Sequence, residues 1–126
     1  MLETGIKGNA QTLVEEENTA LAMGSGNLEV FATPAMIALM EQAASESVQP
    51  YLAEGESSVG TLMNVKHLRA TVMGKQVFAE SVLTEADNRK LVFTVKACDP
   101  SGVIGEGIHE RFIIDSERFM NKANQK

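Results

Sequence analysis

The alternation of apolar and polar positions gives the two halves of the chain different periods. The first half carries a helical pattern. From Val30 the residues Phe31, Ala32, Thr33, Pro34, Ala35, Met36, Ile37, Ala38, Leu39 and Met40 are uncharged, and Glu41 is the one charged side chain before Glu46. Ile37, Met40, Ala44 and Val48 fall on one stripe at i, i+3, i+7 and i+11, which predicts a helix with a buried face. Thr33 is a favoured N-cap and Pro34 suits the first helical position, while Pro50 disfavours continuation, so the helix is placed at about Pro34–Gln49. Upstream, Gln11–Ala20 reads as a first strand and Met23-Gly24-Ser25-Gly26-Asn27 as a loop. The second half is a series of short segments rich in β-branched residues: Ser58–Ala70, Gln76–Ala86, Lys90–Cys98 and Val103–Ile114. The turns between them, Met73-Gly74-Lys75, Asp87-Asn88-Arg89 and Asp99-Pro100-Ser101-Gly102, are short enough to predict an antiparallel meander. The polar tail from Ser116 is expected to be partly helical or frayed, with residues 1–8 and 120–126 as loose ends.

A strand, one long apolar helix and four antiparallel strands make an α+β pattern. A sheet of that length curls around the helix and covers it, which is the arrangement called the hotdog fold. Its free edge then needs a partner, so a homodimer or a larger homo-oligomer is expected. A length of 126 residues suits one domain with a real core. The net charge of −6 argues against a nucleic-acid partner, which requires a basic face. Lys66, Arg69 and Lys75, and the pair Arg89–Lys90, read as solvated charges that are still sufficient for a small anion. Cys98 is the single cysteine, which excludes a disulfide within the chain and a multi-cysteine metal site; it is expected to be a small buried hydrophobe. Met1–Ala10 has no basic stretch followed by an apolar run, and no later segment is long and apolar enough to span a bilayer, so the expected compartment is the cytoplasm.

Candidate chemistry centres on the charged exception in the helix. Glu41 lies four residues after Ile37, on or beside the buried stripe, where burial would make it a base or nucleophile near neutrality. Strand parity places His67 on the face of Val59, Met63 and Val65, towards the helix, unless a bulge intervenes. In the last strand Ile104, Ile108, Phe112 and Ile114 mark the apolar face, which puts His109 and Arg111 on the opposite one with Gly105 and Gly107. Thr33 precedes Glu41 by eight residues, about 12 Å of helical rise, too far for direct contact unless a fold-back or a second subunit joins them. Gly60, followed by Thr61, opens a strand where backbone can approach a ligand. No Gly-rich phosphate loop, HExxH or GxSxG pattern is present.

Three blocks resemble one family. They are Val30-Phe31-Ala32-Thr33-Pro34-Ala35-Met36 through Leu39-Met40-Glu41-Gln42-Ala43; Ser58-Val59-Gly60-Thr61 with His67-Leu68-Arg69-Ala70-Thr71; and Gly105-Glu106-Gly107-Ile108-His109-Glu110-Arg111. In order and spacing they are similar to the fluoroacetyl-CoA thioesterase-like branch of the hotdog superfamily, over about residues 28–119. The resemblance implies hydrolysis of an acyl-CoA thioester, a homodimer with active sites at its interface, and no metal or cofactor beyond the coenzyme A of the substrate. The family's catalytic threonine, glutamate and histidine correspond to Thr33, Glu41 and His67, and its glycine near the thioester carbonyl to Gly60. Leu28, Phe31 and Arg111 are the further residues expected to contact substrate. The stretch Ala20–Phe31 holds only one aromatic residue, Phe31, so a general short or medium acyl group is expected rather than selectivity for a fluorinated one.

Two other functions fit the same fold. A hotdog enoyl-CoA hydratase would show an Asp and a His at the helix entry, and neither occurs between Thr33 and Ser47. A non-catalytic acyl-CoA-binding module would have no need for an inward base.

Overall fold

The structure, a computed structural model describing residues 2–125, has five strands and three α-helices. The strands are β1 Lys7–Leu13, β2 Glu56–His67, β3 Gln76–Asp87, β4 Lys90–Asp99 and β5 Gly102–Asp115. The helices are α1 Ala20–Met23, α2 Thr33–Val48 and α3 Ser116–Asn124. The strands form one antiparallel sheet in the order β1-β3-β4-β5-β2, and α2 packs in its curl against β1, β3 and β4. This is the hotdog fold of the sequence reading, but only β3, β4 and β5 form the expected meander. β2 crosses to the far edge and pairs with β5, so the Met73–Lys75 turn joins strands that are not neighbours.

The buried face of α2 carries Met36, Leu39, Met40, Ala43, Ala44 and Val48, spaced at three and four residues as an amphipathic helix requires. It meets Val77, Ala79 and Leu83 of β3 and Leu91, Phe93, Val95 and Ala97 of β4, all buried. Small residues set the closest approach. Gly8 of β1 lies so near α2 that a Cβ there would collide with the Ala43 carbonyl and stand 2.6 Å from Ser81 Oγ. β3 and β4 close through a two-residue hairpin, with Asn88 in the left-handed region at φ 60°, which asparagine tolerates.

Several elements differ from the sequence reading. The first strand lies earlier, at Lys7–Leu13, and includes residues expected in a loose end; the acidic run is instead a 3-10 turn, Glu16–Asn18, leading into α1. Thr33 does not cap the helix: Ala32 holds the N-cap position, and no side chain caps it. Cys98 is half-buried rather than enclosed. The faces of β5 are inverted. His109, Arg111 and Ile113 are buried, whereas Ile108 and Phe112 are 38% and 41% exposed. The cause is a register shift: Ala97 pairs with Gly105 and Cys98 with Val103, leaving Ile104 unpaired between them. Ile104 is buried as an extra residue, so parity counted from it selects the wrong face of the strand beyond.

Gly8→Ala should fold but lose about 1–3 kcal/mol to overpacking, seen as a Tm lowered by several degrees. An unchanged Tm would mean that β1 does not press on α2 in this way.

Candidate functional site

Two polar clusters lie along the seam between α2 and β2. The first joins Thr33 and His67, with Thr33 Oγ1 2.8 Å from His67 Nδ1. The segment before α2 sets this pair in place. Phe31 N–H donates to the Thr71 carbonyl at 2.8 Å, and Ala32 N–H to the Asn18 carbonyl at 3.0 Å, which pins the helix entry beside the end of β2. The pair lines a cleft of about 280 Å³ with Phe31, Leu68 and Arg69. His67 Nε2 is buried and makes no hydrogen bond among the described residues. Burial pushes the His67 pKa below its ordinary value, with the backbone at Arg69 partly opposing.

The second cluster forms around Glu41. Its Oε2 is 3.5 Å from Arg111 Nη1, and the two side chains are 41% and 8% exposed. The burial expected of Glu41 is therefore only partial. Arg111 also donates from Nε to Ser58 Oγ at 2.8 Å and from Nη2 to the Ser58 carbonyl at 2.9 Å. Its Nη1 lies 3.2 Å from His109 Nε2, while His109 Nδ1 is 2.9 Å from the Leu62 carbonyl. Burial lowers the pKa of both His109 and Arg111; the Leu62 carbonyl opposes this at His109 and the Glu41 carboxylate at Arg111.

A bulge on β2 makes this cluster possible. Gly60 pairs with Arg111 and Leu62 with Glu110, so Thr61 is an extra residue and the strand changes face there. Before it, Ser58 points inward; after it, Met63, Val65 and His67 do. Gly60 sits over the cluster. A Cβ on it would collide with Glu41 Oε2 and lie 3.2 Å from His109 Cε1 and 3.4 Å from Arg111 Nη1. With glycine here the carboxylate rests against bare backbone, and a side chain would push it away.

The structure thus brings Thr33 to His67, and Glu41 to Gly60 and Arg111, but within one chain it does not bring the two sets together. Thr33 and Glu41 are separated by about 12 Å of helix, and Gly60 and His67 by roughly 20 Å of strand. Phe31 is buried at 2% beneath the Thr33–His67 cleft, whereas Leu28 is 67% exposed in the preceding loop and does not line it. Arg111 stands beside Glu41, against the parity reading that turned it away. His109 and Ser58 were missed. The available signal was the i, i+2 pairing of His109 with Arg111, which places both on one face of a strand. A larger groove of about 570 Å³ between the end of β5 and α3 is lined by Arg89, Arg118 and Lys122 but holds no base or nucleophile pair. Among the described residues no group of three His, Cys, Asp or Glu side chains is gathered for a metal, and no helix is long and apolar enough to cross a membrane.

Comparison with known proteins gives a consistent picture. Residues 14–117 match the family described as FlK, fluoroacetyl-CoA-specific thioesterase. A fluoroacetyl-CoA thioesterase from Streptantibioticus cattleyicolor is 43% identical over 98 residues, which span 78% of this chain and 70% of that protein. The solved structure of the fluoroacetyl-CoA thioesterase FlK superimposes with a TM-score of 0.93 at 34% identity, covering 100% of this chain and 98% of that one. A threonine-to-serine variant of that enzyme in complex with acetyl-CoA gives a TM-score of 0.93 at 33% identity, over 98% of both chains.

Both histidines hold their protons less tightly when folded than the ordinary imidazole value of 6.5. The unfolded chain therefore binds more protons in the window below that value, so stability is fully present above about pH 6.5 and falls as pH drops towards the folded-state values. Thermal melts should give a lower Tm at pH 5.5 than at pH 7.5, and His109→Gln should flatten that slope. A Tm that rises on acidification would contradict the burial of the two rings.

Proposed function

The chain belongs to the fluoroacetyl-CoA-specific thioesterase family, and on that premise we propose that it hydrolyses the thioester of a short- or medium-chain acyl-CoA. The observation that carries the reading is the half-exposed Glu41 carboxylate held by Arg111 against the bare backbone of Gly60. That arrangement offers a base, or a nucleophile, beside a strip of main chain that a carbonyl can approach. In the reaction one water splits the thioester into an acid and a thiol. Either Glu41 takes a proton from water as its oxygen adds to the thioester carbon, the C–S bond breaks and that proton passes to the thiolate. Or Glu41 itself adds, the thiolate leaves as a mixed anhydride forms, and water then cleaves the anhydride and supplies the thiolate's proton. Glu41 takes the proton of the attacking water or forms the bond itself, and backbone N–H groups near Gly60 face the developing oxyanion. His67 moves protons to the leaving thiol, and Thr33 donates a hydrogen bond that orients the ring.

The separation of the two clusters supports a homodimer as the working unit. Among the described residues no strand pairs with the outer edge of β2. In the dimer proposed here two β2 strands pair antiparallel about a two-fold axis near Met63–Asn64, the register that would bring His67 opposite Gly60 of the partner subunit. Thr33 and His67 of one protomer then face Glu41 of the partner subunit across one carbonyl. Such a site is complete only at the interface.

A second chemical reading draws on the 2.8 Å contact between Thr33 Oγ1 and His67 Nδ1. In it the imidazole takes the hydroxyl proton and Thr33 is the nucleophile. An acyl group found covalently on Thr33 by mass spectrometry would favour it.

Free-thiol release from a panel running from acetyl- and fluoroacetyl-CoA to octanoyl-CoA should reveal turnover. Glu41→Gln should lower kcat on the order of 10²-fold or more with the Tm retained; full activity in that variant would sink the Glu41 mechanism. Co-expressed Glu41→Gln and His67→Ala chains, purified as mixed dimers by two tags, should recover one working site per dimer. Mixed dimers as inert as either parent would place each site within a single chain.

A further inference from the structure

We propose that His109 is a positioning residue whose neutral ring, carrying its proton on Nδ1, ties the bulge at Thr61 to Arg111 and so fixes the guanidinium against Glu41. The inference rests on the hydrolase reading, in which Glu41 works at the thioester carbonyl. His109 itself has no route to substrate. It is 1% exposed, lies beneath Gly60, and stacks on Phe93 with ring centroids 5.9 Å apart.

The tautomer follows from the partners. Arg111 has donors only, so at 3.2 Å from its Nη1 the His109 Nε2 must accept. The ring proton is then on Nδ1, where it donates to the Leu62 carbonyl at 2.9 Å. That carbonyl is turned to the ring at the register shift between Gly60 and Leu62. With Ser58 taking Nε and Nη2, the guanidinium is anchored on three nitrogens, and Nη1 presents to Glu41 Oε2 at 3.5 Å. The charged groups that act on the ring are Arg111 and Glu41 beside it and, from the other face of β5, Glu110. A doubly protonated ring would lose its acceptor and set a second cation against Arg111, which matches the direction in which burial and Arg111 push its pKa.

A histidine that only filled the core would need no acceptor, since an apolar ring would stack on Phe93 equally well. The two hydrogen bonds separate by isostere. Asparagine keeps a donor near Nδ1 and loses the acceptor; glutamine keeps an acceptor near Nε2. Thiol release with the acyl-CoA turned over fastest by the wild type should show both His109→Asn, which loses the acceptor to Arg111, and His109→Gln, which loses the donor to Leu62, reduced in kcat by about ten- to a hundredfold, with KM within about twofold. Full activity in either variant, or a loss carried by KM rather than kcat, would overturn the proposal. ¹⁵N spectra of wild-type protein labelled at its two histidines, assigned with His67→Gln, decide the matter even where a variant fails to fold. A ring protonated at Nδ1 with a bare Nε2 at pH 7 supports the bridge, and an Nε2-protonated or doubly protonated ring overturns it. A folded wild type that releases thiol from no acyl-CoA would remove the hydrolase reading and the catalytic half of this one, leaving the spectrum to report separately on the bridge.

Discussion

Burial of one face of α2 in the curl of the sheet is the constraint on which the other features depend. Met36, Leu39, Met40 and Val48 supply the apolar area, at about 1.5–3 kcal/mol for each large side chain enclosed. Gly8, set against the Ala43 carbonyl and Ser81, allows β1 to come close to the helix. Because the sheet encloses that face, only the margin of the helix is left for polar groups. Thr33 in the first turn and Glu41 two turns later emerge on that margin. The fold therefore fixes where chemistry is possible before any particular reaction is considered.

Two of the three register shifts in the sheet serve the site. The extra residue Thr61 turns Gly60 and Ser58 towards Glu41 while returning His67 to the helix side at the far end of the same strand. The extra residue Ile104 turns His109 and Arg111 inward. A regular sheet would present one of these sets and hide the other. Placing a charged guanidinium at 6% exposure is costly unless its donors are used, and here Ser58, His109 and Glu41 together meet every nitrogen. That satisfaction explains why the cation is tolerated beside a hydrophobic core.

Legibility from the sequence followed the strength of local signals. The period of Ile37, Met40, Ala44 and Val48 located α2 to within a residue or two, and the turns around Asn88 and Gly102 located the hairpins. Those signals are local, set by side-chain period and turn chemistry. The face of β5 was not legible, because Ile108 and Phe112 are apolar yet exposed and Ile104 is buried out of phase. Bulges leave no fixed mark in sequence, so every inference that crossed one depended on an unseen phase. Thr33 looked like a cap because threonine commonly is one; its hydroxyl instead reaches a histidine thirty-four positions away, a contact only the fold creates. The family blocks named Thr33, Glu41, His67 and Gly60, and helical rise already set Thr33 apart from Glu41; only the fold shows that His67 sides with Thr33 and Gly60 with Glu41.

The contacts of Arg111 and His109 also act on the path to the folded state. Ser58 and Leu62 lie on either side of the extra residue in β2, and each is read by a different side chain of β5. A slip of β2 by one residue would turn its inward side chains outward. It would also strand a guanidinium and an imidazole among apolar neighbours with no acceptor for the one and no carbonyl for the other, a penalty of several kcal/mol. The polar cluster thus adds an energetic preference for the alignment that builds the site.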